Sequence, residues 1–147
     1  MQAILEALRA AVGADQVFTG AGIGERYLHD WMVSAPAGTP LAVVRPKTTQ
    51  QVSAVMAACH AQGVPVVPQG GLTGLAGGAV PVQGCVCLSL ERMDGIEEID
   101  TASATLTAWA GTTMQTIQEA AWSAGFFWSW SFTGNAGPLG RAAFRRR

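Results

Sequence analysis

The sequence predicts an α+β fold that starts as α/β, with a βαβ unit of parallel strands followed by an incomplete second subdomain. Two observations predict it. A helix-forming segment is flanked by two short apolar runs, and a series of shorter strands follows a glycine-rich loop. The chain has 147 residues, 49% of them hydrophobic, which suits one domain with a buried core rather than a disordered chain.

An amphipathic helix is predicted over the first dozen residues. Apolar side chains recur at helical spacing at Ile4, Leu5, Leu8, Ala11 and Val12. Gly13 follows as a helix stop. From there to Ala37 the sequence is rich in glycine, so we expect an irregular lead-in.

The βαβ unit is predicted between residues 41 and 67. Residues 41–44 form a short buried strand that ends before Pro46. Thr48 and Gln51 have the spacing of a capping box, and the helix that follows is closed by Gly63. Residues 64–67 make the second strand. Strands joined in this way are parallel, with a right-handed crossover.

Shorter strands are predicted after the glycine-rich loop, over residues 85–90, 96–99 and 105–110. A helix capped by Thr113 and ended by Gly125 comes next, and its inward-facing residues are Met114, Ile117 and Ala121. This change of pattern places the start of a second subdomain near Asp94.

The distribution of charge argues against nucleic acid as a partner. The formal net charge is −1, whereas phosphate binding needs a basic surface. Four of the nine basic residues lie at the end of the chain, at Arg141 and residues 145–147. Such a run can bind nucleic acid or a membrane surface, but a solvated terminus is the commoner explanation, and we assign it no function.

Cysteine usage and the N-terminus indicate a reduced, cytoplasmic protein. The chain has three cysteines, and its first residues carry charges among the apolar ones, unlike a secretory leader. Cys85 and Cys87 alternate in an apolar run as core residues of a strand do, and no metal site is expected. Residues 48–90 contain no charged side chain, but their prolines and glycines exclude a membrane-spanning helix.

The most informative segment is the glycine-rich loop of residues 68–79, which follows a predicted strand. Glycine lets backbone N–H groups approach a ligand without a side chain between them, so such a loop can bind phosphate through amides alone. The loop contains neither the G-x-G-x-x-G of a Rossmann site nor the G-K-[ST] of a P-loop. From composition alone, a packed glycine-rich turn explains the segment as well as phosphate binding does.

The sequence of this loop resembles the diphosphate loop of FAD-linked oxidases of the vanillyl-alcohol-oxidase type, the PCMH-type FAD-binding fold. The resemblance rests on Pro-Gln-Gly-Gly-Leu-Thr-Gly at residues 68–74 and the glycine pair at 77–78. Its surroundings agree, with Val-Val-Arg-Pro at 43–46, Leu-Ser-Leu-Glu-Arg-Met at 88–93 and Ala-Gly at 110–111. It implies FAD as the cofactor, bound by Pro68, Gln69, Gly70, Gly71, Leu72, Thr73, Gly74, Gly77, Gly78 and Ala79.

Within that superfamily the chain is similar to the D-2-hydroxyacid dehydrogenase branch, which includes D-lactate, glycolate and D-2-hydroxyglutarate dehydrogenases. The similarity lies in residues 27–32, Tyr-Leu-His-Asp-Trp-Met, and in residues 69–74. It implies oxidation of a D-2-hydroxy acid to a 2-oxo acid by hydride transfer to FAD, with a separate electron acceptor. Some relatives attach FAD through a loop histidine. Leu72 and Thr73 stand at that place, which implies non-covalent FAD, and His29 and His60 are expected to be non-catalytic.

The resemblance ends near Phe127 and suggests three parts. We expect an N-terminal helix and lead-in over residues 1–40, an incomplete PCMH-type FAD-binding domain over 41–127, and an atypical tail over 128–147. The tail is rich in Trp and Arg, as a frameshifted or truncated product would be. In the family, the substrate pocket and the catalytic groups belong to a later part of the protein, so no catalytic residue is nominated here.

Two other functions remain open. A chain of the same fold could be inert or could depend on a partner chain for the missing half. A nucleic-acid-binding module would use the aromatic side chains between residues 122 and 132 as a stacking platform beside the arginines. Hydrophobic burial explains most aromatic clusters, so nucleic acid is not the expected partner.

Overall fold

The computed structural model describes residues 2–31, 38–127, 141–143 and 145–146. The helices in this part of the chain are α1 (Gln2–Val12), α2 (Thr49–Ala61) and α3 (Met114–Ser123). The strands are β1 (Val17–Phe18), β2 (Ala42–Val44), β3 (Val66–Gln69), β4 (Val86–Ser89), β5 (Ile96–Asp100), β6 (Thr105–Ala108), β7 (Phe126–Phe127), β8 (Arg141–Ala143) and β9 (Arg145–Arg146). The predicted mixed fold with parallel strands in one sheet is confirmed.

The first sheet has the strand order β1-β2-β4-β3. β2 and β3 are parallel, as predicted for strands joined by α2, but they are not neighbours, because β4 lies between them and pairs with both. All four residues of β4 are buried, which suits the central position. β3 carries the exposed Pro68, whose missing N–H is tolerated on a strand with a single partner in this sheet.

Strand β1 corrects the prediction of an irregular lead-in. Val17 and Phe18 pair antiparallel with Val44 and Val43 of β2. Two residues are too few to show an alternating pattern, so their strand conformation depends on the edge that β2 offers.

The two faces of the first sheet are covered differently. α1 and α2 pack on one face, where Leu8, Val55 and Cys59 contact a cluster that includes Val44 and Val86. The opposite face carries a second cluster, formed by Tyr27, Val43, Val67, Cys85 and Cys87. Residues of the lead-in therefore cover the face that the helices leave open.

The predicted position of the two strand cysteines is confirmed. Cys85 and Cys87 are both fully buried on the same face, with their Sγ atoms 3.9 Å apart. Burial, together with the neighbouring Cys85, raises the pKa of the Cys87 thiol to about 12. Both side chains are therefore core groups, and the Cys87 thiol is protonated at neutral pH.

The helix boundaries follow the predicted capping residues. Thr48 Oγ1 accepts a 3.2 Å hydrogen bond from Gln51 N, and the Gln51 side chain accepts from Lys47 N, one residue before the position that a capping box uses. Thr113 caps α3 in the same way, through Thr116 N. Each of the three helices is followed by a glycine with positive φ, namely Gly13, Gly63 and Gly125.

The second subdomain contains a sheet of order β5-β6-β8 and a separate pair, β7 and β9, all antiparallel. Helix α3 packs on it, with Ile117 and Ala121 against Leu106, Ala108 and Phe126. The backbone of Arg141–Ala143 pairs with β6. Half of the predicted aromatic platform, namely Trp128, Trp130 and Phe132, lies outside the described residues.

A glycine joins the two subdomains at close range. Gly111 N donates a 2.7 Å hydrogen bond to Met93 O. A Cβ atom on Gly111 would overlap the carbonyl of Leu90 and lie 2.9 Å from Met93 O. The backbone after β4 and the backbone after β6 can therefore meet only because residue 111 has no side chain.

Among the helices of the described residues, none combines the length and the apolar run needed to cross a membrane.

Candidate cofactor site

The glycine loop, defined as residues 70–79, begins at the carboxyl end of the parallel strand β3. Most of its residues are exposed or half-buried. Within the described part of the chain, the hydrogen bonds leave the backbone N–H groups of residues 70–76 unpaired, and Gly77 N is the loop amide that has an acceptor. These amides therefore lie in exposed or half-buried residues at one end of the sheet.

The backbone conformation of the glycine loop turns at two residues. Leu72 has φ 59° and Gly77 has φ 75°, both in the left-handed region. Gly71 and Gly74 have no positive φ, so neither needs glycine for its backbone angles. At Gly74 an added Cβ would meet Asp30 Oδ2 at 3.8 Å, an ordinary contact. If Gly71 and Gly74 are required, the reason is the space their missing side chains leave.

The side chain of Gln69 faces the protein rather than solvent. Gln69 is 1% exposed, and its Nε2 donates to Tyr27 O at 2.8 Å and to Ala79 O at 2.9 Å. These bonds join the residue before the glycine loop to its last residue. Gln69 is therefore placed to hold the base of the loop closed.

Two buried polar atoms stand unpaired beside this base. Among the described residues, Gln69 Oε1 and Ser89 Oγ have no hydrogen-bond partner, and their residues are register partners at the ends of β3 and β4. Buried polar atoms are normally hydrogen-bonded, and an exception often marks the place of a ligand or an ordered water. Together with the unpaired amides, they fit a site whose remaining partners come from a bound molecule.

Asp30 is a site residue to which the sequence pattern assigns no role. Its side chain is buried, and Oδ2 accepts a 2.9 Å hydrogen bond from Gly77 N. The signal was its place in the Tyr-Leu-His-Asp-Trp-Met segment, but 47 residues separate it from its partner. Only the folded chain brings Asp30 to the glycine loop.

A charged cluster fixes the lead-in to the ends of β2 and β4. Glu91 accepts a 2.7 Å hydrogen bond from the Tyr27 hydroxyl and forms an ion pair with Arg26 at 2.7 Å. Arg45 Nε lies 3.0 Å from Glu91 Oε1, an ion-pair distance without hydrogen-bond geometry. Burial, and then the hydrogen bond to Glu91, raise the pKa of Tyr27 above its usual value.

The two histidines lie outside the glycine loop. His60 is exposed on α2, and His29 Nδ1 lies 3.4 Å from the Asp30 carbonyl. In the described residues, no three His, Cys, Asp or Glu side chains are grouped as metal ligands. A cavity of about 260 Å³ lies at the junction of the two subdomains, lined by Lys47, Thr48, Arg92, Met93, Asp94 and Trp109.

Comparison with known families identifies the cofactor of this domain. Residues 40–137, more than half of the chain, match the family described as an FAD binding domain. The chain belongs to this FAD-binding domain family. FAD is therefore its cofactor, as the loop sequence implies, and the glycine loop lies inside the matched region.

Two curated relatives and one solved structure illustrate the relationship. The chain is 39% identical over 114 residues to D-2-hydroxyglutarate dehydrogenase of Xanthomonas citri pv. viticola, covering 78% of this chain and 24% of that protein. It is 43% identical over 86 residues to a putative mitochondrial D-lactate dehydrogenase of Schizosaccharomyces pombe, covering 58% and 16%. It matches the structure of p-cresol methylhydroxylase with a TM-score of 0.76 and 27% identity, covering 87% and 26%.

These comparisons confirm the resemblance to PCMH-type flavoproteins and to the D-2-hydroxyacid dehydrogenases. The chain spans about a quarter of the length of the D-2-hydroxyglutarate dehydrogenase that it matches. It is thus related to one part of flavin-dependent oxidoreductases, the part that binds FAD.

Proposed function

We propose that the glycine loop binds the diphosphate of FAD, within a flavin-dependent dehydrogenase that oxidises a D-2-hydroxy acid to a 2-oxo acid. The observation that carries the proposal is the run of backbone N–H groups over residues 70–76, at the end of a parallel strand, that have no acceptor in the described part of the chain. Residues 48–90 hold no Lys or Arg, so amide dipoles rather than cations would meet the diphosphate in this segment.

The residues of the glycine loop, and the two that precede it, would have different roles. The amides of Gly70, Gly71, Leu72 and Gly74, with the Thr73 hydroxyl, would contact the diphosphate. Pro68, Gly78 and Ala79 would line the site. The resemblance implies that Gln69 and Gly77 also bind FAD. We propose instead that they hold the loop in place, because the Gln69 amide nitrogen and the Gly77 N–H already have protein acceptors.

Binding of FAD would be non-covalent. No histidine lies between residues 61 and 147, so the glycine loop offers no imidazole for attachment to the flavin. Leu72 and Thr73 occupy the place where the related oxidases with covalent FAD carry that histidine. Affinity must therefore come from the loop amides and from the surfaces around them.

The reaction class is inferred from the relatives. D-2-hydroxyglutarate and D-lactate dehydrogenases are among the proteins to which the chain is similar. When bound, FAD supplies the acceptor for the hydride from C2 of the acid, and the hydroxyl proton must go to a base. The described residues would hold and orient the cofactor, and a separate acceptor would later take the electrons.

Competition between fragments of the cofactor tests the proposal. FAD fluorescence is followed as the full chain is added, and ADP or riboflavin is then titrated in. We expect ADP to displace FAD at lower concentration than riboflavin, because ADP carries the diphosphate and riboflavin carries none. Displacement by riboflavin alone, or no binding of FAD, would contradict the assignment of the glycine loop.

A further inference from the structure

The glycine loop holds a carboxylate where an anionic ligand is expected. Asp30 is 3% exposed, and its Oδ2 accepts from Gly77 N at 2.9 Å. A carboxylate and a diphosphate are both acceptors of amide hydrogen bonds, and they repel each other. The position of Asp30 therefore needs an explanation that a phosphate-binding loop does not itself supply.

A second distance places the carboxylate inside the curve of the loop. The Cβ position of Gly74 lies 3.8 Å from the same Asp30 oxygen that binds Gly77 N. Asp30 Oδ2 thus lies close to both ends of the turn from residue 74 to residue 77. It contacts the loop from within the fold, since the Asp30 side chain is buried.

The base of the loop is fixed by the same stretch of the lead-in. Gln69 Nε2 joins Tyr27 O to Ala79 O, so Tyr27 and Asp30 hold the loop at its base and at its far turn. Tyr27 is itself anchored by Glu91. Hydrogen bonds at Tyr27 and Asp30, which the backbone of residues 27–30 connects, therefore join Glu91 after β4 to the glycine loop.

We propose that Asp30 is a positioning residue for cofactor binding, an inference that rests on the proposed function of the glycine loop. Its carboxylate occupies the Gly77 amide and fixes the loop in the shape that leaves the amides of residues 70–76 for the diphosphate. A charge-assisted hydrogen bond is stronger than a neutral one, which suits an anchor in an exposed loop. Gly77 N is then part of the anchor and not a ligand of the diphosphate.

If Asp30 competed with the diphosphate instead of positioning the loop, removing it would change FAD affinity in the opposite direction. If Asp30 competed with the diphosphate for loop amides, removing the carboxylate would free Gly77 N and tighten FAD binding. If Asp30 positions the loop, removing it lets the loop change shape and weakens FAD binding. The sign of the change in affinity therefore separates the two roles.

The test compares Asp30→Ala, Asp30→Asn and Asp30→Glu in the full chain. The amide exchange rate of Gly77 is measured without nucleotide, and FAD affinity by fluorescence. We expect Asp30→Ala to speed Gly77 exchange and to weaken FAD binding by more than about tenfold. Asp30→Asn keeps an acceptor and should restore affinity to within about threefold. Asp30→Glu keeps the charge but displaces it, and should bind FAD as weakly as Asp30→Ala.

Asp100→Ala is the matched control. The Asp100 carboxylate holds the turn between β5 and β6 by accepting from Ala102 N and Ser103 N, away from the glycine loop. It should change neither Gly77 exchange nor FAD affinity. Slow amide exchange at Leu88 N, in the core, checks that each variant is folded. If Asp30→Ala does not fold, Asp30→Glu takes its place in the test.

Two results would overturn the inference: unchanged Gly77 exchange in both Asp30→Ala and Asp30→Glu, or FAD affinity equal to or tighter than that of the parent in these variants. Should the parent bind no FAD, the proposed function fails. The Gly77 exchange rate then still decides whether Asp30 holds the loop.

Discussion

The Tyr27 hydroxyl donates a 2.7 Å hydrogen bond to Glu91 Oε1, across 64 residues of sequence. Glu91 also pairs with Arg26 and lies beside Arg45, so this contact ties the lead-in to the ends of two parallel strands. The carbonyl of Tyr27 in turn accepts from Gln69, at the base of the glycine loop. Tyr27 thus links the charged cluster, through its phenol, to the base of the glycine loop, through its carbonyl.

This link can be measured because Tyr27 is the only tyrosine of the chain. Burial and then Glu91 raise the pKa of its phenol above 10.0, so the phenolate absorbance should appear at higher pH in the folded than in the denatured chain. Because the pKa of Tyr27 is higher in the folded than in the unfolded chain, its protonated phenol contributes to the stability of the folded state. This contribution is complete below pH 10.0 and is lost as the pH rises through the pKa of the folded chain.

Glu91→Gln should lower the pKa of Tyr27 only in part, because burial is the largest cause of the shift. Glu97→Gln, an exposed change on β5, is the control and should leave the titration unchanged. The same phenolate titration in folded and denatured protein would show that the Tyr27–Glu91 contact is absent in solution.

We predict that Gly111→Ala destabilises the chain by about 2 kcal/mol or more, because the new Cβ would overlap the Leu90 carbonyl. Urea unfolding measures the change. Gly22→Ala is the control, since a Cβ there has no neighbour within 4 Å and Gly22 has no positive φ. Equal unfolding midpoints for Gly111→Ala and the parent would rule out the close approach of the two subdomains.

Removing the N-cap of α2 should reduce the free energy of unfolding by a smaller amount. Thr48→Ala deletes the acceptor for Gln51 N and should cost about 1 kcal/mol in urea unfolding. Thr49→Ala, one residue into the same helix, should cost less, because alanine is the better helix former and Thr49 is exposed. The capping assignment fails if the two variants unfold alike.

The sequence predicts the three helices of the described residues, but it misses the short strand β1. Apolar spacing predicts α1, α2 and α3 closely, because a glycine follows each helix and a capping threonine precedes α2 and α3. The placement of β4 between β2 and β3 is not predictable in this way. Strand order depends on which apolar run is buried on both faces once the sheet forms, and Val86–Ser89 is such a run.

The part of the candidate site that is continuous in sequence can be predicted from the sequence. The loop residues from Pro68 to Ala79 are adjacent in sequence, so their pattern is visible without a structure. Asp30 could not be found in the same way, because its role depends on a contact with Gly77, 47 residues away. Nor does the sequence show that the Gln69 side chain turns inward to two carbonyls.

The 147-residue chain, supplied with FAD and an artificial electron acceptor, is predicted not to oxidise D-lactate, glycolate or D-2-hydroxyglutarate. Turnover needs the acid held against the flavin and a base for its hydroxyl proton, and the chain corresponds to 24% of the D-2-hydroxyglutarate dehydrogenase it matches. That relative is the positive control in the same dye-reduction assay with D-2-hydroxyglutarate. Steady dye reduction by the chain itself would show that it carries a complete active site.

The most direct test of the account is the affinity of Gly71→Val for FAD. Gly71 is exposed and has no positive φ, so valine should fit the backbone while blocking the approach of a diphosphate to the neighbouring amides. We expect FAD binding to weaken by more than about tenfold, or about 1.4 kcal/mol, with the circular dichroism spectrum unchanged. Gly22→Val, also exposed, should bind FAD as the parent does. Equal FAD affinity in Gly71→Val and the parent would contradict the assignment of the glycine loop to the diphosphate.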